Sequence, residues 1–373
     1  MTRKIGTITF HAAYNYGSCL QAYALQEYIK KLFNNNCTYS IINLRTENQK
    51  NIYKTFFQKK GLKNRVKSFL LLKEKKKITN REKNFENFIR KYLQITKEYN
   101  SDIELKKENF EFDYYIAGSD QLWNVQALDF NWSNYLEFVQ SKNKISYAAS
   151  FGGKLIQNWE PKDILRVKNN LAKFKNISVR ETENCNYIKQ LTGMEAMVNI
   201  DPTMLLTKEE WKEIIPKNPI NKSDYIYLYN LKKDKNIIKL AKKISKIMKM
   251  PIVVSQYGFN GENSKEFIKQ YDAGPLEFLN LINGAKLVLS SSFHGNVFAI
   301  LLNKPFFAIK GMTDLRINTL LKKLDLEDRS ISFENYKEKC KDIYNVDFGK
   351  SDNLIEIERN KAKEYLKNAL DIK

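Results

Sequence analysis

The sequence predicts an α/β protein with two Rossmann-like domains, each built on a parallel sheet. Short β-branched runs alternate with amphipathic helices along most of the chain, and this alternation is the pattern of βαβ units. The chain has 373 residues, enough for two domains of common size. A segment with two prolines, Pro216 and Pro219, interrupts the alternation. We therefore expect the domain boundary within residues 207–222.

The N-terminal domain is expected over residues 1–210. It begins with a β-prone run that ends near Phe10, followed by a loop and by a helix that Ser18 can cap. In that helix Leu25, Tyr28 and Ile29 recur at helical spacing. Later strands are predicted at 38–44, 112–117, 144–149, 176–180 and 196–200, with a helix starting at Glu181.

Residues 50–95 form a basic helical insertion in this domain. Apolar residues such as Phe57, Val66 and Phe85 are spaced for amphipathic helices between many lysines. One interpretation is helical packing with a solvated basic face. The other is a surface that rests on anionic lipid.

The C-terminal domain is expected over residues 223–345. Strands are predicted at 225–229, 252–255, 286–289 and 306–309, with helices at 234–249, 275–284 and 295–303. A terminal helix is predicted at 351–371. Because ligands of open α/β sheets bind beyond the carboxyl ends of the strands, the loops that follow each strand are the candidate sites.

Composition narrows the functional classes. The formal net charge is +21, which favours an anionic partner, although a lysine-rich composition with solvated lysines is the alternative. No apolar run reaches the ~18 residues of a membrane span, and no signal-peptide core follows the first strand. The four cysteines lack metal-type spacing. We expect a cytoplasmic protein without a metal.

The chain has only two histidines, His11 and His294, and each follows a predicted strand. Histidine is the most frequent general acid or base near neutral pH. A satisfied, partly buried side chain is the alternative, chiefly for His11. Around His294, the hydroxyls of Ser291 and Ser292 precede a helix N-terminus that suits anionic oxygens, and Gly295 is expected to let a ligand approach the backbone.

Three cations are candidates for anion binding. Arg180 ends a predicted strand, and its guanidinium group suits bidentate contact with phosphate or carboxylate. A salt bridge to Glu181 or Glu183 is the alternative. Lys310 and Arg316 follow a later strand and are weaker candidates, because a chain this basic carries many surface cations.

Polar and aromatic residues follow two strands of the N-terminal domain. Asp120 and Gln121 suit sugar hydroxyls, and Trp123 suits a sugar face, although a core tryptophan after a turn has the same pattern. Asn15 and Tyr16 lie in a turn at a helix start or in a loop that touches the ligand. No Walker A, zinc-protease, nucleophile-elbow or dinucleotide-binding motif occurs.

Six blocks in order resemble the polysaccharide pyruvyl transferases. They are ITFHAAYNYGSCLQAYALQEYIKKL (8–32), YYIAGSDQLWN (114–124), ISYAASFG (145–152), ISVRETEN (177–184), VNIDPTMLL (198–206) and SSFHGNVFAILLNKPF (291–306). The resemblance implies a glycosyltransferase-B-like fold, with two Rossmann-like domains facing a cleft. It also implies transfer of an enolpyruvyl-derived group from phosphoenolpyruvate to a sugar, forming a pyruvate ketal.

The resemblance places the family's acid on His294 and its anion-binding arginine on Arg180. Some members carry a second arginine where this chain has Ser292, and others carry an aspartate at Ser291. Arg316 or Lys310 would then contact the phosphate, while His11, Asn15, Tyr16, Asp120, Gln121 and Trp123 would hold the acceptor. No cofactor is implied, since phosphoenolpyruvate is a substrate. The acceptor would be a nucleotide sugar or a lipid-linked saccharide of a cell-surface polysaccharide such as a capsule, with peripheral contact at the inner face of an anionic membrane.

Two other functions fit parts of the sequence. A glycosyltransferase using a sugar nucleotide fits the same fold, with Glu277 for the ribose hydroxyls. A nucleic-acid-binding protein fits the charge alone, and no helix-turn-helix, RRM or zinc-finger signature supports it. We therefore expect no nucleic-acid partner.

Overall fold

The fold is described from a computed structural model, which covers residues 2–53, 74–152, 156–231, 234–256, 266–309 and 313–372. These residues group into two compact units. Unit 1 consists of the described residues among 1–60, 89–206 and 357–373, and unit 2 of those among 61–88 and 207–356. Each unit is described by itself below.

Unit 1 is built on parallel strands. In chain order they are β1 (Arg3–Ile8), β2 (Cys37–Leu44), β3 (Ile95–Tyr99), β4 (Tyr114–Ala117), β5 (Lys144–Ser146), β6 (Ile177–Val179) and β7 (Ala196–Val198). The first five form one sheet in the order β3-β2-β1-β4-β5, and the last two form a parallel pair. Parallel bridges join Ile145 to Asn176 and Ala149 to Val179, so the pair continues the sheet beyond β5.

Helices connect these strands. They are α1 (Tyr16–Leu32), α2 (Glu47–Tyr53), α3 (Lys75–Tyr92), α4 (Asp102–Lys107), α5 (Pro161–Leu171) and α6 (Thr182–Thr192). Asn15, rather than the expected Ser18, caps α1: its Oδ1 accepts from the backbone N–H of Gly17 at 3.0 Å and of Ser18 at 3.4 Å. These bonds satisfy donors that have no partner within the first helical turn.

Unit 2 contains a second parallel sheet. Its elements are α7 (Lys208–Ile214), β8 (Ile226–Tyr229), α8 (Lys235–Met248), β9 (Ile252–Val254), β10 (Phe267–Lys269), α9 (Pro275–Gly284), β11 (Leu287–Ser290), α10 (Phe293–Leu301), β12 (Phe306–Ile309), α11 (Leu315–Lys323), β13 (Ser330–Ile331), α12 (Tyr336–Lys339) and α13 (Phe348–Ala369). The strand order is β10-β9-β8-β11-β12-β13. This is the 3-2-1-4-5-6 order of a Rossmann fold, and the first five strands of unit 1 follow the same order.

The central strands are apolar because helices cover both faces of a parallel sheet. All four residues of β8 and all four of β11 are buried. All nine residues of α10 are buried as well, which explains why its sequence is apolar on every side. The strands and helices predicted around the candidate loops are present, and their ends are shifted by a few residues from the predicted ones.

Three short strands at sheet edges were not predicted: β3, β10 and β13. The edge strand β3 reads ITKEY, with exposed Lys97 and Glu98, and β10 and β13 have three and two residues. Edge strands are often short and charged, which blunts them against further pairing. They therefore carry little of the hydrophobic alternation by which a strand is predicted.

The compact units differ from the expected domain limits in two places. The described part of α3 up to Phe88 groups with unit 2, where Arg81 Nη1 donates to the carbonyl oxygen of Ala273 at 3.0 Å. From Ile357 onward α13 groups with unit 1. There Tyr365 donates from its hydroxyl to the carbonyl oxygen of Ser146 at 2.7 Å. Contacts between distant parts of the chain thus decide to which unit each of the two segments belongs.

Candidate functional site

The unit 2 candidate lies where the strand order reverses, between β8 and β11. In Rossmann sheets this switch point is where ligands bind. Here the loops after the two strands are joined: Ser291 Oγ donates to Asn230 Oδ1 at 2.7 Å, and Ser291 N–H donates to the carbonyl oxygen of Tyr229 at 3.2 Å. The loop before α10 is therefore held at the end of its neighbouring strand.

The serine hydroxyls also shape the turn itself. Ser290 Oγ accepts from the backbone N–H of Ser292 at 3.0 Å and donates to the carbonyl oxygen of Ser292 at 3.1 Å. Asn296 Nδ2 donates to the same carbonyl oxygen at 3.0 Å. Ser292 is the N-cap residue of α10, and its side chain forms no capping bond. Ser291 and Ser292 were predicted to bind the anionic donor substrate. Ser291 is hydrogen-bonded to Asn230, and binding of the substrate by either serine stays a prediction.

His294 lies in the first turn of α10, directly after this loop, and is 6% exposed. Its ring meets the ring of Phe293 edge-on, with the ring centroids 5.2 Å apart. The serine turn and the buried helix together fix the imidazole near the switch point of unit 2. This position suits a general acid, which must be held rigidly toward a reacting atom.

Gly295 has a packing role that differs from the predicted one. A Cβ atom at this position would lie 2.2 Å from Ser290 Oγ and 2.8 Å from Tyr229 Cδ1. Only glycine lets α10 approach β8 and β11 this closely. The expectation that Gly295 opens the backbone to a ligand is corrected, because protein atoms occupy the space beside its Cα.

The two weaker cation candidates have different outcomes. Arg316 forms a bidentate contact with Asp314, with Nη2 2.7 Å from Oδ2 and Nε 3.0 Å from Oδ1. The Asp314 side chain also caps α11 by accepting from the backbone N–H of Arg316. The guanidinium group is thus oriented by an adjacent carboxylate, as in a structural ion pair. Lys310 lies outside the described residues.

The unit 1 candidate lies at the corresponding switch point, between β1 and β4. His11 follows β1 and is 1% exposed. Its Nδ1 lies 3.1 Å from the carbonyl oxygen of Thr9, and its Nε2 lies 2.8 Å from Asn43 Oδ1. Both ring nitrogens therefore have protein partners. This geometry favours the alternative interpretation of His11 as a satisfied, buried histidine.

Asp120 follows β4 and is oriented by the start of α1. Ser18 Oγ donates to Asp120 Oδ2 at 2.5 Å, and the backbone N–H of Gln121 donates to Asp120 Oδ1 at 2.8 Å. The φ angle of Asp120 is +71°, a conformation that is uncommon outside glycine and occurs at functional sites and turns. Gln121 is half-buried next to it. Sequence reasoning singled out both residues but missed Ser18 as the partner.

Arg180 lies in the interior of unit 1. Its Nη2 is 2.6 Å from Asp201 Oδ2, with side-chain exposures of 3% and 0%, and it donates to Ser119 Oγ at 2.7 Å. The ion-pair alternative is therefore present, with Asp201 as the partner in place of Glu181 or Glu183. Asp201 follows β7. Its position after a predicted strand is the sequence feature by which it could have been identified as the partner of Arg180.

Three of the predicted acceptor residues have structural roles. Trp123 is fully buried and stacks on Tyr135 with ring centroids 5.1 Å apart. It therefore presents no face to a sugar, and the prediction for it is wrong. Tyr16 is also fully buried in the first turn of α1, which corrects its predicted contact with a ligand. Asn15 caps the same helix, as described above.

Among the described residues, no group of three or more acidic, histidine or cysteine side chains has an arrangement that could hold a metal ion. No helix in that part of the chain is both long and apolar enough to cross a bilayer.

Known structures share this fold. The chain matches a UDP-GlcNAc 2-epimerase from Methanocaldococcus jannaschii at 16% identity and a TM-score of 0.52, covering 93% of this chain and 92% of that one. A putative UDP-N-acetylglucosamine 2-epimerase from Listeria monocytogenes matches at 10% identity and 0.54, covering 95% and 91%. The S. aureus MnaA structure with UDP matches at 9% and 0.56, covering 100% and 98%.

These similarities confirm the predicted fold class, an α/β protein with two Rossmann-like parallel sheets of the glycosyltransferase-B type. At such low identities they concern the fold alone. No curated protein matches the chain. The family model described as polysaccharide pyruvyl transferase matches residues 15–310. That range contains five of the six sequence blocks, most of the sixth, and the loops after β8 and β11 at the switch point of unit 2. The chain belongs to the polysaccharide pyruvyl transferase family.

Proposed function

We propose that this protein transfers an enolpyruvyl-derived group from phosphoenolpyruvate to a saccharide and closes it to a pyruvate ketal, with His294 as the general acid. One observation carries the assignment of the acid. Of the two histidines in the chain, His11 has protein acceptors at both ring nitrogens, whereas His294 starts a helix at the switch point of unit 2.

The chemistry needs one proton donor at carbon. Protonation of the methylene carbon of phosphoenolpyruvate makes the adjacent carbon electrophilic, and a saccharide hydroxyl attacks there. Phosphate then leaves, and a second hydroxyl closes the ketal, so that one phosphate is released for each ketal formed. His294 would donate the proton to the methylene carbon and recover one from the first hydroxyl that attacks, while the proton of the second hydroxyl leaves with the phosphate as hydrogen phosphate.

The anionic donor needs N–H and hydroxyl groups around it. The N-terminus of α10, with the Ser292 side chain beside it, offers backbone N–H groups and the positive end of a helix dipole. This supports the placement of phosphoenolpyruvate at the loop after β11. Because Arg180 and Arg316 are each paired with an aspartate, we assign them structural roles, Arg180 beside the loop after β4 through Ser119 Oγ and Arg316 at the start of α11.

Product analysis tests the proposal directly. The protein is incubated with phosphoenolpyruvate and a panel of nucleotide sugars and lipid-linked saccharides, and released phosphate and product mass are measured. Acceptor-dependent phosphate release with a pyruvate ketal on the saccharide is expected. If every member of the panel is returned unmodified while a sugar is moved from a nucleotide to another acceptor, the protein is a glycosyltransferase.

The glycosyltransferase alternative assigns Glu277 to the ribose hydroxyls. Glu277 accepts from the backbone N–H of Gly274 at 2.9 Å at the N-terminus of α9, so one of its carboxylate oxygens is already engaged by the helix. A thermal-shift comparison separates the two functions. Phosphoenolpyruvate should raise the unfolding temperature without a nucleotide present, and stabilisation by nucleotide sugars alone would favour the alternative.

Membrane contact is a secondary part of the proposal. Residues 54–73 of the basic insertion lie outside the described residues. In α3, Ile78 and Phe85 are buried, so these apolar residues pack against the protein. The charged residues of the helix then remain to attract an anionic lipid surface. Pelleting with anionic vesicles should therefore weaken as salt screens the attraction, and pelleting that does not change with salt would contradict it.

A further inference from the structure

Unit 1 contains a cavity of about 280 Å³, and His11 is among the residues that line it. Its wall consists of loop 9–14 after β1, Arg45 after β2, Glu98 of β3 and one side of α2. The cavity thus lies at the carboxyl ends of three adjacent parallel strands. Ligands of open α/β sheets bind at these ends.

The polar part of the wall contains two cations that share one carboxylate. Lys50 Nζ lies 2.6 Å from Glu98 Oε1, and Arg45 Nη1 lies 3.8 Å from Glu98 Oε2. Lys50 Nζ also donates to Asn100 Oδ1 at 2.6 Å. The side chains of Arg45, Lys50 and Glu98 are 18%, 25% and 38% exposed. They are therefore partly exposed and present oriented donors and an acceptor to a polar ligand.

Another part of the wall is aromatic and held in place. The rings of Tyr14 and Tyr53 have centroids 6.4 Å apart. Tyr53 donates its hydroxyl to Asp129, and burial, followed by the Asp129 carboxylate, raises the pKa of Tyr53. Its hydroxyl therefore stays protonated and bonded, and the ring is a fixed apolar surface. Gln49 Nε2 reinforces this by donating to the carbonyl oxygen of Asp129 at 3.2 Å.

We propose that this cavity binds one pyranose ring of the acceptor saccharide. A sugar ring has apolar C–H faces and a rim of hydroxyls, which match the tyrosine surface and the Glu98 group. The volume lies just below the range of about 300–1,000 Å³ typical of ligand pockets, so it suits a single ring. Asp120 accepts from Ser18 of α1, the helix that directly follows loop 9–14 of the cavity wall. The inference rests on the proposed function, because it names the site of that reaction's acceptor.

A blocking variant tests the site by binding alone. Ala12 lines the cavity and is partly exposed, so Ala12→Trp fills the space with little disturbance of the core. The control is Ala172→Trp at an exposed position of unit 1 outside the cavity. The probes are the p-nitrophenyl α- and β-pyranosides of glucose, galactose and mannose, observed by saturation-transfer NMR.

At least one probe should bind the wild type and Ala172→Trp, and its signal should disappear with Ala12→Trp. Equal binding to Ala12→Trp, or no binding of any probe to the wild type, would overturn the proposal.

A second pair of variants removes one charge without a change in size. Glu98→Gln should weaken the bound probe by about tenfold, or about 1.4 kcal/mol. Glu108→Gln is the control and should leave binding of the probe unchanged, because Glu108 pairs with Lys97 and neither residue lines the cavity.

The same variants separate this inference from the proposed function. If phosphoenolpyruvate-dependent ketal formation occurs and Ala12→Trp leaves the acceptor KM unchanged, the cavity is not the acceptor site while the function stands. If a pyranoside binds in the cavity but no ketal forms with any acceptor, the site is a saccharide site and the proposed reaction is wrong.

Discussion

Arg180 and Asp201 form an ion pair in the interior of unit 1, with Nη2 2.6 Å from Oδ2 and both side chains almost fully buried. The same guanidinium group donates to Ser119 Oγ, and Ser119 Oγ donates to the carbonyl oxygen of Ala148 at 2.6 Å. The side chain thereby ties together the loops that follow β4, β6 and β7. A residue expected to bind an anion is thus also a cross-link between strand ends.

Removal of the arginine should destabilise unit 1. Arg180→Met leaves the Asp201 carboxylate buried without its cation, which typically costs about 3–5 kcal/mol. Urea unfolding measures this loss, and the double variant Arg180→Met with Asp201→Leu should recover a large part of it because no buried charge remains. An Arg180→Met protein of wild-type stability that fails to bind phosphoenolpyruvate would instead assign the guanidinium group to the ligand.

His294→Ala should remove catalysis and leave the fold intact. Loss of a general acid typically lowers the rate by about 10²–10⁴-fold. We expect this loss in kcat, with circular dichroism and unfolding temperature close to those of the wild type. His11→Gln is the comparison at the other histidine, and it should lower the free energy of unfolding because both ring nitrogens of His11 have protein partners. Normal turnover by His294→Ala would mean that another residue is the acid.

Gly295→Ala should destabilise unit 2 through steric overlap. The added Cβ would lie 2.2 Å from Ser290 Oγ, and overpacking of this kind costs about 1–3 kcal/mol. The control is Gly349→Ala in the first turn of α13, where the nearest atom to a Cβ is Asp347 Oδ1 at 3.5 Å. That change should be neutral or slightly stabilising, since alanine has the higher helix propensity. Equal stability of the two variants would refute the packing role of Gly295.

Lys144 should make stability depend on pH in the alkaline range. Burial, followed by the charge of Lys173, lowers the pKa of Lys144 to about 8. Because the folded pKa lies below the ordinary lysine value of about 10.4, the folded state releases its proton first, and this contribution to stability rises between those two pH values. The wild type should therefore gain stability relative to Lys144→Met as pH rises from 8 to 10, as measured by urea unfolding. A constant difference across this range would contradict the lowered pKa.

The βα alternation of the sequence was sufficient to predict the strands that border the candidate loops, since buried parallel strands are continuous apolar runs such as LVLS in β11. The edge strand β3 was not predicted, because its ITKEY sequence is polar and lacks that signal. His294 and Asp120 were likewise identified from their positions after strands. Trp123 was misassigned because a tryptophan after a turn has the same local sequence whether it packs in a core or faces a sugar.

Local sequence by itself determined the βα units, the positions of the strand-end loops and the residue types within them, because hydrophobic periodicity and turn residues act over short stretches of chain. Only the tertiary structure decided which of those residues have protein partners. Asp201 meets Arg180 across 21 residues of sequence, Asn43 meets His11 across 32, and Glu98 meets Lys50 across 48. Such pairs are formed by the packing of distant segments, so no local pattern of residues specifies them.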